Sequence, residues 1–176
     1  MRKVGLLLLL TALLAVPAMG QDEYPKAEIF GGFSYGNLST DGTREGFYGW
    51  QASAAGNFHK NVGIVADFGG QYKSIEGVRV STYEYLVGPR FYYRQEKATV
   101  FAHALFGGAR IGAGAGGVSV SSNGFAMGYG GGVDVKINDR VAFRVFQVDY
   151  MPTRFEGVWQ KSNVRLGVGI VFTSGK

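Results

Sequence analysis

From Ala27 onward, apolar and polar side chains alternate with a period of two. They do so in segments long enough to cross a bilayer as tilted strands, which takes about 9–11 residues each. Segment one, 27–37, sets Ile29, Phe33 and Tyr35 against Glu28 and Ser34. Segment two, 47–58, sets Tyr48, Trp50, Ala52, Ala54 and Phe58 against Gln51, Ser53 and Asn57. Segment three, 62–73, carries Val62, Ile64, Ala66, Phe68 and Tyr72 opposite Asp67 and Gln71. Segment four, 82–93, carries Tyr83, Tyr85, Val87, Phe91 and Tyr93 opposite Glu84 and Arg90. Segment five, 99–109, places Val100, Ala102, Ala104 and Phe106 opposite His103. Segment six, 124–137, places Phe125, Met127, Tyr129, Val133 and Val135 opposite a glycine row ending in Asp134 and Lys136. Segment seven, 141–151, opposes Phe146, Val148 and Tyr150 to Gln147 and Asp149, but Arg144 falls on the apolar parity, as a β-bulge or a position at the periplasmic end would allow. Segment eight, 163–172, sets Val164, Leu166, Val168, Ile170 and Phe172 against Arg165. The pattern predicts an all-β fold of eight strands.

The connections sort by length. His59-Lys60-Asn61, Arg94-Gln95-Glu96-Lys97 and Asn138-Asp139-Arg140 are tight and charged, whereas about 38–46, 74–81, 110–123 and 152–162 read as long loops. Short turns at one end and long loops at the other are the mark of an outer-membrane barrel, with the short turns in the periplasm. Hydrocarbon offers no hydrogen-bond partner to an open sheet edge, so strand eight has to close on strand one. The expected fold is therefore an eight-stranded antiparallel up-and-down transmembrane β-barrel. Aromatic residues gather near the segment ends as interfacial girdles do: Tyr48, Trp50, Tyr72, Tyr83 and Tyr150 at the loop end, and Phe58, Phe91, Tyr93, Phe143 and Phe172 at the turn end.

The N-terminus changes where this barrel is expected to reside. Met1-Arg2-Lys3 precedes an apolar run from Val4 to Val16, and Ala18 and Gly20 supply small residues before Gln21. This is the layout of a secretory signal peptide over 1–20, leaving the barrel domain as 21–176. Its loss takes Arg2 and Lys3 with it, so the formal charge falls from +5 to +3. Without a Lys/Arg run, nucleic-acid binding has no support. The absence of cysteine excludes disulfides and thiol-based metal sites. Mean hydropathy is only +0.03, as expected when lipid-facing and lumen-facing residues alternate.

Several stretches also resemble a known family. Residues 27–35 (Ala27-Glu28-Ile29-Phe30-Gly31-Gly32-Phe33-Ser34-Tyr35), Val87-Gly88-Pro89-Arg90-Phe91, Gly130-Gly131-Gly132-Val133-Asp134 and Val148-Asp149-Tyr150 are similar to the small outer-membrane β-barrels typified by the OmpA transmembrane domain and OmpX-like proteins. The resemblance implies residence in outer-membrane lipid and assembly through the barrel-assembly machinery. In such proteins Val164, Leu166, Val168, Ile170 and Phe172 form the C-terminal assembly signal. Here Thr173-Ser174-Gly175-Lys176 follow the aromatic residue, a departure from signals that end on it.

Motifs for chemistry are weak. Gly32-Phe33-Ser34-Tyr35-Gly36 matches the G-x-S-x-G pattern, yet it lies mid-strand without the strand-to-helix turn that exposes a nucleophile. Gly112-Ala113-Gly114-Ala115-Gly116-Gly117 lacks the Gly-Lys-Ser/Thr ending of a phosphate loop and reads as surface loop. No metal, cofactor or catalytic residue is expected, and the chain is taken as a monomer. The distinctive group is a lumen polar network: Asp67, Glu84, Arg90, Asp134, Asp149 and Arg165 all point inward by parity, with Arg90 expected near Asp67 and Asp149 near Arg165. A structural, surface-interacting barrel follows, whose extracellular partner the sequence does not name. A narrow gated pore, or a soluble periplasmic barrel for a lipophile, is the alternative. Arg154, Phe155 and Trp159 mark the loop tips.

Overall fold

In a computed structural model, residues 24–40, 43–75, 78–115 and 118–174 are described. The expected signal peptide lies outside the described residues. Among the described residues ten strands form: β1 (Ala27–Thr40), β2 (Thr43–His59), β3 (Val62–Ile75), β4 (Val78–Arg94), β5 (Ala98–Ala115), β6 (Val118–Lys136), β7 (Val141–Tyr150), β8 (Thr153–Phe155), β9 (Val158–Gln160) and β10 (Val164–Ser174). Eight of them, all but β8 and β9, close into an antiparallel ring in the order β1 to β7 and then β10. β10 returns to β1 from Ala27↔Ser174 to Asn37↔Val164, so the first and last strands leave no open edge between them.

The outward parity is as the alternation predicts. On β4, Tyr83, Tyr85, Val87, Phe91 and Tyr93 are all exposed, while Glu84, Leu86, Arg90 and Tyr92 are buried inside. At the usual rise and tilt, Tyr93 to Tyr83 spans about 25 Å along the barrel axis, the height of an outer-membrane apolar band. An apolar core of Val65, Leu86, Leu105, Ala109, Ala126 and Met151 sits in the interior with Phe155 packed against it.

Arg144 points inward because β7 bulges. Val133 pairs with Phe146 but Asp134 pairs with Arg144, and the register on β10 shifts at the same place. The extra residue lets Val145 and Phe146 both face outward while Arg144 and Gln147 both face in.

The three short turns stand where expected, but the long loops do not. β1–β2, β3–β4 and β5–β6 continue pairing to Thr40↔Thr43, Ile75↔Val78 and Ala115↔Val118. The stretches expected as loops over 38–46, 74–81 and 110–123 are thus largely paired hairpin, and Gly112–Ala115 belong to β5. Loss of the lipid-facing alternation ends the membrane band without ending backbone hydrogen bonding. The fourth stretch holds the β8–β9 hairpin, which joins β6 through Phe125↔Arg154 and Ala126↔Thr153. Its two turn residues, Glu156 (φ 48°) and Gly157 (φ 87°), both take positive φ, the backbone of a tight two-residue hairpin turn.

Candidate functional site

The lumen carries the concentrated chemistry. Strand parity turns Asp67 (β3), Glu84 (β4), His103 (β5), Asp134 (β6), Asp149 (β7) and Arg165 (β10) inward, and all are buried. A charge taken out of water must be paired and hydrogen-bonded, and Arg165 meets that demand for three carboxylates. Its Nη2 and Nε donate to Asp149 Oδ2 at 2.7 and 3.1 Å, and Nη1 donates to Glu84 Oε2 at 3.1 Å. Nη2 also lies 2.8 Å from Asp67 Oδ1. β4 is four strands from β10 in either direction round the ring, so this side chain is a strut across the full lumen.

The network extends from both ends of the strut. Gln51 Nε2 donates to Asp67 Oδ2 at 2.7 Å, and Gln147 Nε2 donates to Asp149 Oδ2 at 2.7 Å. Arg144 grips Asp134 in bidentate fashion, Nε to Oδ1 at 2.7 Å and Nη2 to Oδ2 at 3.0 Å, and its Nη1 donates to Gln147 at 2.7 Å. His103 Nε2 is 2.8 Å from Asp149 Oδ1, and its Nδ1 faces Arg90 Nη2 at 3.5 Å. The tautomer with its hydrogen on Nε2 suits both neighbours. Interior glycines leave the space: a Cβ on Gly69 would lie 3.0 Å from both Arg165 Nη1 and Glu84 Oε2, and one on Gly130 would lie 2.2 Å from Asp149 Oδ1.

All six inward residues of the sequence reading are inside, and five are joined in the two carboxylate–guanidinium groups. Asp149 and Arg165 are direct cross-strand partners. The expected Arg90–Asp67 contact is not formed. β3 and β4 pair Ile75↔Val78, which sets Asp67 opposite Leu86 and Arg90 opposite Gly63. Arg165 takes Asp67 from across the lumen, while Arg90 stacks over Phe101 at 4.6 Å. Arg144 shares that ring at 4.3 Å and also covers Phe30 at 4.1 Å. Only the misplaced parity of Arg144 signalled its role in sequence. At the turn end of the lumen, Arg94 Nη2 pairs with Glu28 Oε1 at 2.6 Å, and Asn57 Nδ2 donates to the same oxygen at 2.9 Å.

Ser34 of the G-x-S-x-G match is buried in β1, its Oγ accepting from Gln71 Nε2 at 3.2 Å. The ten aromatic residues singled out at the strand ends are all outward and exposed. At the hairpin end they touch: Trp50 Nε1 donates to Tyr72 Oη at 3.3 Å, and the Tyr72 and Tyr83 rings meet edge-on at 5.8 Å. Along β10, Val164, Leu166 and Phe172 are exposed, with Val168 and Ile170 half-buried.

Residues 6–172 match the outer membrane protein beta-barrel domain family. The chain belongs to that family. No curated protein sequence matches it. Among solved structures, Neisserial surface protein A is similar at TM-score 0.68 and 10% identity, over 85% of this chain and 97% of that one. Ail, the attachment invasion locus protein of Yersinia pestis, is similar at 0.62 and 15%, over 85% and 99%. A second Ail structure, in complex with the heparin analogue sucrose octasulfate, gives 0.64 at 15% over the same shares. The N-terminal β-barrel domain of Pseudomonas aeruginosa OprF gives 0.58 at 9%, over 85% and 98%. At such identities the likeness is one of fold. The family and these neighbours point to the outer membrane as the barrel's location.

Proposed function

We propose that this barrel is a non-enzymatic component of the outer membrane that lends it structural integrity and meets the outside through its projecting hairpins. The observation that carries this reading is the Arg165 strut. A guanidinium joining β10 to β3, β4 and β7, with both side chains of each contact buried, ties the walls together and occupies the cross-section through which a solute would pass. Export by a signal peptide over residues 1–20, assembly from the C-terminal Val164–Phe172 pattern and interfacial anchoring by the outward aromatics belong to the same reading, as does a monomeric state. The short turns then face the periplasm, and the paired extensions of β1 to β6 stand outside.

Planar-bilayer recording tests it against the gated pore. The wild-type protein is expected to give no steady openings, and Arg165→Ala to introduce them. Sustained conductance by the wild type would overturn the plugged reading. Recovery in the soluble periplasm without detergent would overturn the membrane one.

A further inference from the structure

We propose that the hairpin-end rim over β4, β5, β6 and β8 is a docking surface for a phosphorylated lipid of the outer leaflet. Three arginines face outward there, Arg79 on β4, Arg110 on β5 and Arg154 on β8, all exposed. Register ties them into one sector. Arg110 lies between Tyr83 on β4 and Asn123 on β6. Arg154 lies between Phe125 on β6 and Trp159 on β9. Arg79 stands four residues beyond Tyr83 on β4, opposite Gly114. At the rise and tilt of a barrel strand, four residues climb about 10 Å. Arg110 and Arg154 therefore sit at the upper edge of the apolar band, and Arg79 sits above it at headgroup height.

Their partners are neutral. Arg110 Nη2 donates to Ser121 Oγ at 3.0 Å, and Arg154 Nε donates to the Gly157 carbonyl at 3.4 Å. Among the described residues none of the three meets a carboxylate, in contrast to Arg144 and Arg165 in the lumen. Glu156, at the β8–β9 turn, is the one described carboxylate outside the barrel in this sector. Below Arg79 and Arg110 the same strands present exposed Tyr85, Phe106, Phe125 and Tyr129, with Phe125 level with Arg154. The Phe106 and Tyr129 rings meet edge-on at 5.8 Å, Phe125 meets Trp159 at 6.5 Å, and the Arg154 guanidinium lies 5.8 Å from the Trp159 ring. Elsewhere on the described rim, Tyr48, Trp50, Tyr72 and Tyr150 give an aromatic edge, and Lys161 adds an exposed cation at the β9–β10 connection.

One sector thus pairs a cationic upper edge with apolar side chains directly beneath. A guanidinium fork matches phosphate oxygens in geometry and charge, and acyl chains match the surface below. A soluble anion satisfies only the first of these, whereas a phosphorylated lipid satisfies both. The inference rests on the orientation with the hairpins outside, which maleimide labelling of Lys161→Cys on intact cells reads separately.

Trp50→Phe leaves Trp159, inside the patch, as the single tryptophan. Bisphosphoryl lipid A titrated into this variant in zwitterionic micelles should give a saturable change in Trp159 emission. R79Q/R110Q/R154Q in the same background should weaken the apparent affinity by at least about tenfold. Heat-modifiable gel migration confirms that this variant is folded. Dephosphorylated lipid A should bind the unaltered patch as poorly, an arm that needs no arginine variant. Equal affinity in the glutamine variant, or equal binding of the dephosphorylated lipid, overturns the proposal. Sucrose octasulfate binding as tightly as lipid A also overturns it, by assigning the arginines to a soluble polyanion.

Discussion

Arg165 and Glu84 project from strands that face each other across the whole barrel, and their side chains meet at 3.1 Å. Because the same guanidinium holds Asp67 and Asp149, its removal strands three buried carboxylates together. Arg165→Leu should cost about 3–5 kcal/mol, the usual result of leaving a buried charge without its partner. Urea unfolding from lipid vesicles, followed by heat-modifiable mobility, measures it. Arg165→Lys should recover only part of the loss, since a single ammonium cannot fork to several oxygens. An unchanged unfolding midpoint for Arg165→Leu would remove the strut from the account.

Double-mutant cycles separate real partners from neighbours. Asp67 and Arg165 should show a coupling of about 0.5–3 kcal/mol, as residues in one ion network do. Asp67 and Arg90, which lie four residues out of register across β3 and β4, should be closer to additive. A larger coupling for Arg90 than for Arg165 would contradict the observed pairing.

Deleting Val145 should be tolerated. The bulge leaves Val145 and Phe146 both outward, so removing one of them restores strict alternation with Arg144 and Gln147 still inside. Deleting Val148 should abolish folding, because everything beyond it changes face: Asp149 would turn to lipid and Tyr150 to the lumen. The fraction of heat-modifiable protein in outer-membrane extracts distinguishes the two. Loss of that form on Val145 deletion would show the bulge to be required.

Two glycines on adjacent strands should answer differently to the same methyl group. A Cβ on Gly88 would come within 2.0 Å of the Ala104 carbonyl oxygen in the sheet backbone, whereas one on Gly108 would meet the far end of the Tyr85 ring at 2.5 Å. The ring can swing and the backbone cannot. Gly88→Ala should therefore destabilise by at least about 1–3 kcal/mol, the cost of overpacking, and Gly108→Ala by clearly less. Urea midpoints compare them, and equal losses would count against the distinction.

The C-terminal pattern makes a prediction for biogenesis. Phe172 is exposed at the turn end of β10, opposite Ile29 on β1. Phe172→Ala should lower the assembled fraction in cells more than it lowers the stability of protein refolded into vesicles. Equal effects in the two assays would reduce Phe172 to an ordinary lipid-facing side chain.

The barrel itself was legible because strand parity is a local property. Trp50, Phe91 and Leu166 had to face one way and Gln51, Arg90 and Arg165 the other, whatever lay around them. The short turns were legible for the same reason, as was the oddity of Arg144. Parity nevertheless says only that a side chain points inward, not which residue it finds there. Asp149 and Arg165 could be matched because their strands are adjacent in the ring. Arg165 and Glu84 could not, since contact across the lumen depends on closure, shear and the space left by Gly69. The hairpin extensions were missed because alternation reports contact with lipid, whereas strand pairing needs only a neighbouring backbone. By itself, then, the sequence determined the number of barrel strands, their facing and their closure through a two-residue period and the need to satisfy backbone groups in hydrocarbon. Only the tertiary structure decided the wiring of the lumen and the reach of the hairpins, because both depend on which strands stand opposite or beside one another once the ring has closed.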